Sequence, residues 1–216
     1  MKIVITGALG HIGSYMIREL PVLYPELKEI VMLDNLCTQR YCSLFNLPDL
    51  VEYKFHELDV LDEKLERLFT GADVVLHLAA LTNATISFKH KEEVEKNNYN
   101  ATVRVADACC NTGVPLIHLS STSVYGTQKE VVDEDCSEND LKPQSPYADT
   151  KLKEENYLKN LSNKRDMSFV ILRFGTICGV SAGMRFHTAV NKFCWQAVLG
   201  NPLTVWRTAL HQKRPY

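Results

Sequence analysis

Residues 2–13 read KIVITGALGHIG, a short β-branched run that leads directly into a glycine-rich turn. Gly7, Gly10 and Gly13 follow at regular spacing, and helical apolar spacing continues after them. A strand, a glycine turn and a helix in this order let the backbone approach a pyrophosphate, which the free N–H groups of the helix N-terminus bind. We therefore expect a dinucleotide site at this turn, with an ordinary tight turn as the alternative.

Strand-like and helix-like segments alternate along the rest of the chain. The strand-like segments are near-continuous apolar runs, which are typical of a parallel sheet covered by helices on both faces. The sequence therefore predicts an α/β fold with a doubly wound, mostly parallel sheet. Ser145 and Pro146 predict the start of one helix, and Pro21 predicts the end of another. The expected strands cover residues 2–6, 29–34, 51–56, 73–78, 114–119, 169–174 and 203–205, and the expected helices cover residues 12–20, 61–69, 92–112, 146–161 and 186–199.

Length and composition narrow the class of protein. With 216 residues, the chain is long enough for one complete α/β domain and part of a second. The net charge of −2 and the scattered lysines and arginines do not suggest a nucleic acid or a membrane surface as partner. The sequence contains no bilayer-length apolar run and no signal peptide, so we expect a cytoplasmic protein. Seven cysteines without a Cys-x-x-Cys pair predict reduced thiols and no metal site.

Acidic residues follow the second and third predicted strands. Asp34 comes about 20 residues after Gly13, the position at which an acidic side chain accepts hydrogen bonds from an adenosine ribose. A carboxylate there repels a 2′-phosphate, which favours NAD over NADP. The alternative is a simple turn, since Asp34-Asn35 is good turn chemistry. Asp59, after the third strand, is expected to meet the adenine edge.

A second polar group surrounds the start of the helix at 146–161. Tyr147 and Lys151 stand four residues apart, so they share one helix face. Ser121 lies in a serine-rich run after the fifth strand, and open α/β sheets bind ligands beyond the carboxyl ends of their strands. A phenol, with an ordinary pKa near ~10, becomes a usable base beside an ammonium and an oxidised nicotinamide. We expect an acid–base site of these three residues, with a half-exposed helix face as the alternative.

These motifs occur together in the order of a known family. The sequence resembles the extended short-chain dehydrogenases/reductases, in the NAD-dependent epimerase/dehydratase branch, and is similar to nucleotide-sugar epimerases. The resemblance implies a Rossmann domain over residues 1–177 and the start of a shortened substrate-binding domain over residues 178–216. The matching segments cover residues 6–13, 33–36, 59–60, 77–80, 98–102, 120–126, 147–151 and 172–176.

The resemblance also implies a cofactor, NAD, and a set of residues that bind it. Asn98 is expected to support the site from the long helix. Lys151 is expected to hold the nicotinamide ribose, and Tyr147 to contact the cofactor beside it. The remaining expected cofactor residues are Gly7, Gly10, His11, Ile12, Gly13, Asp34, Asn35, Leu36, Asp59, Val60, Leu78, Ala79 and Ala80.

The implied reaction is epimerisation of a nucleotide-sugar through a transient ketone. Tyr147 is the expected base, and Ser121 orients the substrate hydroxyl. Dehydratases of the family carry an Asp-Glu pair where this chain has Thr122 and Ser123, which favours an epimerase over a 4,6-dehydratase. Thr176 stands where family members often carry asparagine, so substrate contacts at that point differ.

Two other functions stay open, and one assembly is expected. The chain could act as an NAD(P)-dependent sugar or carbonyl reductase/dehydratase, or as a non-catalytic regulatory protein that binds NAD. The helices at 92–112 and 146–161 resemble the pair through which family members dimerise, so we expect a homodimer. The apolar positions offered by these helices are Val94, Val103, Val105, Leu152, Leu158 and Leu161.

Overall fold

A computed structural model describes residues 1–62, 64–82, 91–126, 131–143 and 145–205 of the chain. The strands are β1 (Lys2–Thr6), β2 (Glu29–Asp34), β3 (Glu52–Glu57), β4 (Val74–His77), β5 (Leu116–Ser121) and β6 (Phe169–Phe174). The helices are α1 (His11–Leu23), α2 (Glu66–Phe69), α3 (Lys91–Thr112), α4 (Pro146–Arg165) and α5 (Ala189–Val198). Short 3₁₀ turns cover Tyr41–Leu44, Thr122–Tyr125 and Glu138–Asp140.

The strands form one parallel sheet in the order β3-β2-β1-β4-β5-β6. This confirms the predicted α/β fold with a doubly wound sheet. The order reverses between β1 and β4, and ligands of open α/β sheets bind beyond the strand ends at such a reversal. The Leu78 N–H donates to the Thr6 carbonyl at 3.0 Å, so the turn after β1 lies against the loop after β4.

The core lies on both faces of the sheet. Successive strand residues point to opposite faces, so Val4 and Val31 pack with α2, α3 and α4, while Ile3 and Ile30 pack with α1. Burial on both faces explains why the inner strands β1, β2 and β4 read as continuous apolar runs. The edge strand β3 alternates instead. None of the helices in the described ranges has the length and apolar character needed to cross a bilayer.

The first helix does not end at Pro21, where the sequence predicts its end. Helix α1 continues to Leu23 with Pro21 inside it. Proline has no N–H, so the Ile17 carbonyl loses its partner within the helix. The Tyr53 hydroxyl of β3 donates to that carbonyl at 2.8 Å. A side chain from the neighbouring strand therefore replaces the missing backbone hydrogen bond.

The predicted strand at residues 203–205 is also wrong. These residues pair with no strand of the sheet, and Leu203 and Val205 are 54% and 50% exposed. The Thr204 N–H lies 3.5 Å from the Gln196 side-chain oxygen, so a side chain of α5 supplies its contact. An apolar pattern alone does not reveal whether a neighbouring strand is available to pair with.

Helix boundaries differ from the predicted ones in three places. The segment expected to be helical at 61–69 forms a helix only at Glu66–Phe69. The last helix begins at Ala189, after the expected start at residue 186. Helix α4 runs to Arg165 and ends at Asp166, whose φ of 52° lies in the left-handed region. Its predicted start is confirmed, because the Ser145 hydroxyl accepts the Ala148 N–H at 3.1 Å.

Candidate active site

The glycine turn leaves no room for side chains at two of its three glycines. Gly7 has a φ of 66°, and a Cβ there would lie 2.7 Å from the Ala79 nitrogen. A Cβ at Gly13 would lie 2.5 Å from the Gly7 carbonyl oxygen. Gly10 is less confined, since its nearest contact would be at 3.3 Å. The turn therefore packs backbone against backbone, both with α1 and with the loop after β4.

The Asp34 carboxylate ties this turn to the loop after β2. Its two oxygens accept the N–H groups of Leu9 and Leu36, each at 3.0 Å. Asn35 donates through its side chain to Asp59 at 2.8 Å. The acidic residues that follow β2 and β3 thus lie side by side at the same edge of the sheet.

Two adjoining cavities lie beyond the carboxyl ends of the strands. The larger, of about 560 Å³, extends from the glycine turn to Tyr147 and Lys151, and the smaller, of about 260 Å³, lies beside Asp34 and Asp59. Because they adjoin at the glycine turn, together they have the elongated form that suits a dinucleotide lying across the turn. The two cavities share Gly7, Gly10, Leu78, Ala79, Ala80 and Arg185.

The structure brings nearly all of the expected cofactor residues to these cavities. Leu36 and Asn98 are the exceptions and line neither. Asn98 is buried on α3, where its amide donates to the Leu81 carbonyl at 2.9 Å and accepts the Leu81 N–H at 2.7 Å. It therefore holds the loop that carries Leu78–Ala80.

The expected acid–base residues line the larger cavity together. Ser121 ends β5, and its Oγ accepts hydrogen bonds from the N–H and the hydroxyl of Ser123 at 3.2 and 2.8 Å. Tyr147 and Lys151 lie in the first turns of α4, with the Lys151 Nζ 5.9 Å from the centre of the Tyr147 ring. A phenol, an ammonium and a hydroxyl thus face one space that begins at the glycine turn.

Lys151 has a buried acidic partner that the sequence analysis did not identify. Its Nζ donates to Glu154 Oε2 at 2.8 Å, and the Glu154 side chain is fully buried. Burial lowers the pKa of Lys151, but the Glu154 carboxylate, together with Tyr147 and Glu155, outweighs burial and raises it. Burial likewise raises the pKa of Glu154, but the Lys151 ammonium and His118 together outweigh this and lower it. Both groups are therefore charged at neutral pH.

Two buried imidazoles continue this polar chain under the cavity. The His118 Nε2 lies 3.1 Å from Glu154 Oε2, and the His118 ring stacks on His77 with their centres 5.7 Å apart. The Thr6 hydroxyl lies 2.7 Å from His77 Nδ1. Burial lowers the pKa of His118 and holds that of His77 well below the ordinary value, so both rings are neutral near pH 7.

The profile of the NAD dependent epimerase/dehydratase family matches residues 3–216 of the chain. The chain belongs to this family. The uncharacterised UDP-glucose epimerase YtcB of Bacillus subtilis is 32% identical over 215 residues, which are 95% of this chain and 65% of that relative. A UDP-glucose 4-epimerase of Haemophilus influenzae is 32% identical over 182 residues, which are 81% of this chain and 52% of the relative.

Solved structures give the same assignment. The UDP-glucuronic acid 4-epimerase of Bacillus cereus, in complex with NAD, has a TM-score of 0.81 at 29% identity. The match covers 95% of this chain and 66% of that chain. The chain therefore spans between about half and two thirds of the length of these epimerase/dehydratase relatives.

In this member of the epimerase/dehydratase family, residues 178–188 cross over the glycine turn, and we call this segment the strap. His11 Nε2 donates to the Gly179 carbonyl at 3.0 Å, and the Gly183 N–H donates to the Ser14 hydroxyl at 2.8 Å. A Cβ at Gly183 would overlap the Leu9 carbonyl oxygen. The strap therefore docks on the N-terminus of α1 as closely as the glycine turn docks on the loop after β4.

The strap also adds cavity residues that no sequence motif indicated. Arg185 lines both cavities, and His187 lines the larger one. Thr176, which stands in place of the asparagine expected from the resemblance, lines the larger cavity too. Thr122 and Ser123 lie in the same lining. The part of the expected substrate domain at residues 206–216 lies outside the described residues.

Proposed function

We propose that the protein epimerises a nucleotide-sugar with NAD as cofactor, through a transient ketone, with Tyr147 as the base. One observation carries this proposal: Ser121, Tyr147 and Lys151 line the same cavity as the glycine turn. A sugar carbon and a nicotinamide therefore have a common space in which to meet. The epimerase relatives named above support the choice of substrate class.

The cofactor half of the site uses backbone and one carboxylate. NAD, when bound, supplies a hydride acceptor that later returns the hydride to the other face of the sugar. The N–H groups at the start of α1 hold a pyrophosphate. Each Asp34 oxygen accepts one backbone N–H and retains a lone pair for a ribose hydroxyl. Its negative charge disfavours a 2′-phosphate, which supports NAD over NADP.

The catalytic half of the site moves a proton. Tyr147 accepts the proton of the sugar hydroxyl as the carbon is oxidised, and it returns that proton when the ketone is reduced. The Lys151 ammonium favours the phenolate and has N–H groups left for the nicotinamide ribose. The Ser121 oxygen already accepts from Ser123, so its own proton is available to a substrate oxygen.

The lining of the larger cavity supports epimerisation over dehydration. Dehydratases of the family carry an Asp-Glu pair beside the sugar as the acid and base for elimination of water. Among the described residues that line this cavity there is no aspartate or glutamate. Thr122 and Ser123 stand where the dehydratases carry their acidic pair. Neither hydroxyl is an effective acid or base at neutral pH.

The test combines native mass spectrometry with turnover of a panel of UDP-sugars and dTDP-sugars by the purified protein. We expect retained NAD and interconversion of 4-epimers without added cofactor. A requirement for added NAD(P)H with net reduction of a keto-sugar would indicate the reductase. Retained NAD without turnover of any nucleotide-sugar would indicate a non-catalytic regulator.

We also propose that residues 1–177 bind the cofactor and that residues 178–216 begin the substrate-binding portion. Support comes from the strap, which leaves β6 and places Arg185 at both cavities. Exchange of Arg185 for leucine should weaken nucleotide-sugar binding, measured by calorimetry. Unchanged sugar affinity, or a loss of affinity confined to the cofactor, would contradict this division of the chain.

A homodimer through α3 and α4 is part of the proposal. Of the apolar positions expected to form its interface, Val94, Val105, Leu158 and Leu161 are buried within the subunit. Val103 and Leu152 are half-buried and remain available to a second copy. Light scattering at micromolar concentration should give twice the subunit mass, and a monomer mass would refute the dimer.

A cytoplasmic location is the last part of the proposal. All seven cysteines are free thiols in the structure, as is typical of proteins in reducing compartments. Cell fractionation should place the protein with cytoplasmic markers, and recovery from an oxidising compartment would contradict this.

A further inference from the structure

Lys151 does not face the cavity as an isolated cation. Its Nζ and the Glu154 carboxylate form a buried ion pair at 2.8 Å, with the lysine side chain 5% and the glutamate side chain 0% exposed. The two residues are three positions apart on α4, which places them on the same helix face. Lys151 therefore reaches the cavity wall with one of its N–H groups already committed to a carboxylate.

Lys151 is the charged partner of the Glu154 carboxylate, because the other groups around it are neutral or paired elsewhere. His118 of β5 and His77 of β4 lie beneath it, and burial keeps both imidazoles neutral. Glu155 also lies on α4, but its carboxylate forms two hydrogen bonds with Arg173, at 2.9 and 2.6 Å. Glu154 Oε1 has no hydrogen-bond partner among the described residues.

Groups on the adjacent helix are engaged elsewhere. On α3, Asp107 accepts the Tyr157 hydroxyl at 2.9 Å, and Glu95 forms an ion pair with Lys153. Neither bonds to Lys151 or Glu154. The negative charge closest to the Lys151 ammonium is therefore that of Glu154, and it lies inside the protein where water does not screen it.

We propose that Glu154 is a positioning residue for Lys151: its buried carboxylate fixes the ammonium at the cavity wall and offsets part of its charge toward Tyr147. The inference rests on the proposed function of Tyr147 as the base. An offset ammonium favours the phenolate less, so ionisation of the phenol depends more strongly on the positive charge of the oxidised cofactor. The cofactor and the buried carboxylate thus act on the same proton in opposite directions.

The test titrates the phenol rather than turnover. Glu154→Gln keeps the shape and one acceptor oxygen of the side chain but removes its charge. The ultraviolet difference absorbance of tyrosinate is followed against pH in the NAD⁺ complex, and Tyr147→Phe in each background identifies the signal of that residue. We expect the midpoint of this signal to fall by about one pH unit in Glu154→Gln. An unchanged midpoint would overturn the proposal.

Glu155→Gln is the matched control, because it removes the adjacent buried carboxylate that pairs with Arg173 instead. We expect it to move the midpoint much less than Glu154→Gln, and an equal shift would overturn the specific role of Glu154. Glu154→Asp serves if Glu154→Gln does not fold. It keeps the charge but draws it back by one methylene, so a smaller shift in the same direction is expected and no shift would contradict the proposal.

Cofactor binding separates this inference from the proposed function. Equilibrium dialysis of the unmodified protein against NAD⁺ comes first. Failure to bind would contradict the proposed function itself. Binding with a phenol midpoint that is insensitive to Glu154→Gln would contradict only the role of Glu154.

Discussion

The two halves of the crevice are built in different ways. The backbone around the glycine turn packs so closely that Gly7 and Gly13 have no room for a side chain. An added Cβ at either position would meet backbone atoms. Around Lys151, shape is decided by charge, since its ammonium pairs with a fully buried glutamate above two neutral imidazoles. The first half depends on the absence of side chains at two glycines. The second half depends on side chains that the fold brings together from α4, β5 and β4.

Tyr147→Phe should separate the two halves most clearly. The change removes the proton acceptor but leaves the glycine turn intact, so turnover of a nucleotide-sugar should fall by about 10²- to 10⁴-fold. Retention of NAD should hardly change. Steady-state kinetics and native mass spectrometry check the two outcomes. Unchanged turnover would remove Tyr147 from the mechanism, and loss of NAD would show that the halves are not separable.

Gly7→Ala should break the cofactor half, and Gly71→Ala is its matched control. Both glycines have left-handed backbone, with φ of 66° and 74°, so each alanine costs about 1–2 kcal/mol of strain. Around Gly71 no described atom lies within 4 Å of the added Cβ. Only at Gly7 does overlap with the Ala79 backbone add about 1–3 kcal/mol.

Urea unfolding of the two variants measures this difference in free energy. Equal losses of stability at Gly7 and Gly71 would mean that the loop after β4 gives way and that the turn is not closely packed. NAD affinity should fall only in Gly7→Ala, because Gly71 lines neither cavity.

The same contrast explains which features of the site could be predicted from the sequence. The strand Glu29–Asp34 has its predicted bounds, because burial on both faces leaves a continuous apolar run. The edge strand Phe169–Phe174 also has its predicted bounds, although Val170 is exposed there. The glycine turn could also be predicted, because the spacing of its glycines reflects a requirement of the local backbone. Glu154 lies three positions from Lys151, but it was not identified, because its burial beside His118 depends on a strand far away in the sequence. Arg185 was missed for a similar reason, as the strap follows no periodic pattern.

Acid should lower the stability that the charged half contributes, by less than the effects predicted above. Burial raises the pKa of Glu154, but Lys151 and His118 outweigh it and lower this pKa from the ordinary 4.5 to about 2. A carboxylate of this kind stabilises the fold above pH 4.5 and loses that contribution as pH falls toward the folded-state pKa. The unmodified protein should therefore lose about 2 kcal/mol more unfolding free energy over this window than Glu154→Gln does.

Urea unfolding at successive pH values gives both curves. The other acidic groups contribute to the unmodified protein and to the variant alike, so the difference isolates Glu154. Parallel curves would show that Glu154 is not charged against Lys151 in the folded protein. The stability gap between Gly7→Ala and Gly71→Ala should not depend on pH in the same window, since no ionisable side chain decides it.

The smallest expected effect tests the backbone argument at the far end of α1. Tyr53→Phe removes the hydroxyl that donates to the Ile17 carbonyl, and loss of this hydrogen bond should cost about 1 kcal/mol. In a Pro21→Ala background, the alanine N–H can donate to Ile17 within the helix, so the hydroxyl becomes redundant there. The double-mutant cycle should give a coupling energy of about 1 kcal/mol. If Tyr53→Phe costs the same in both backgrounds, α1 passes through Pro21 for a reason other than this hydrogen bond.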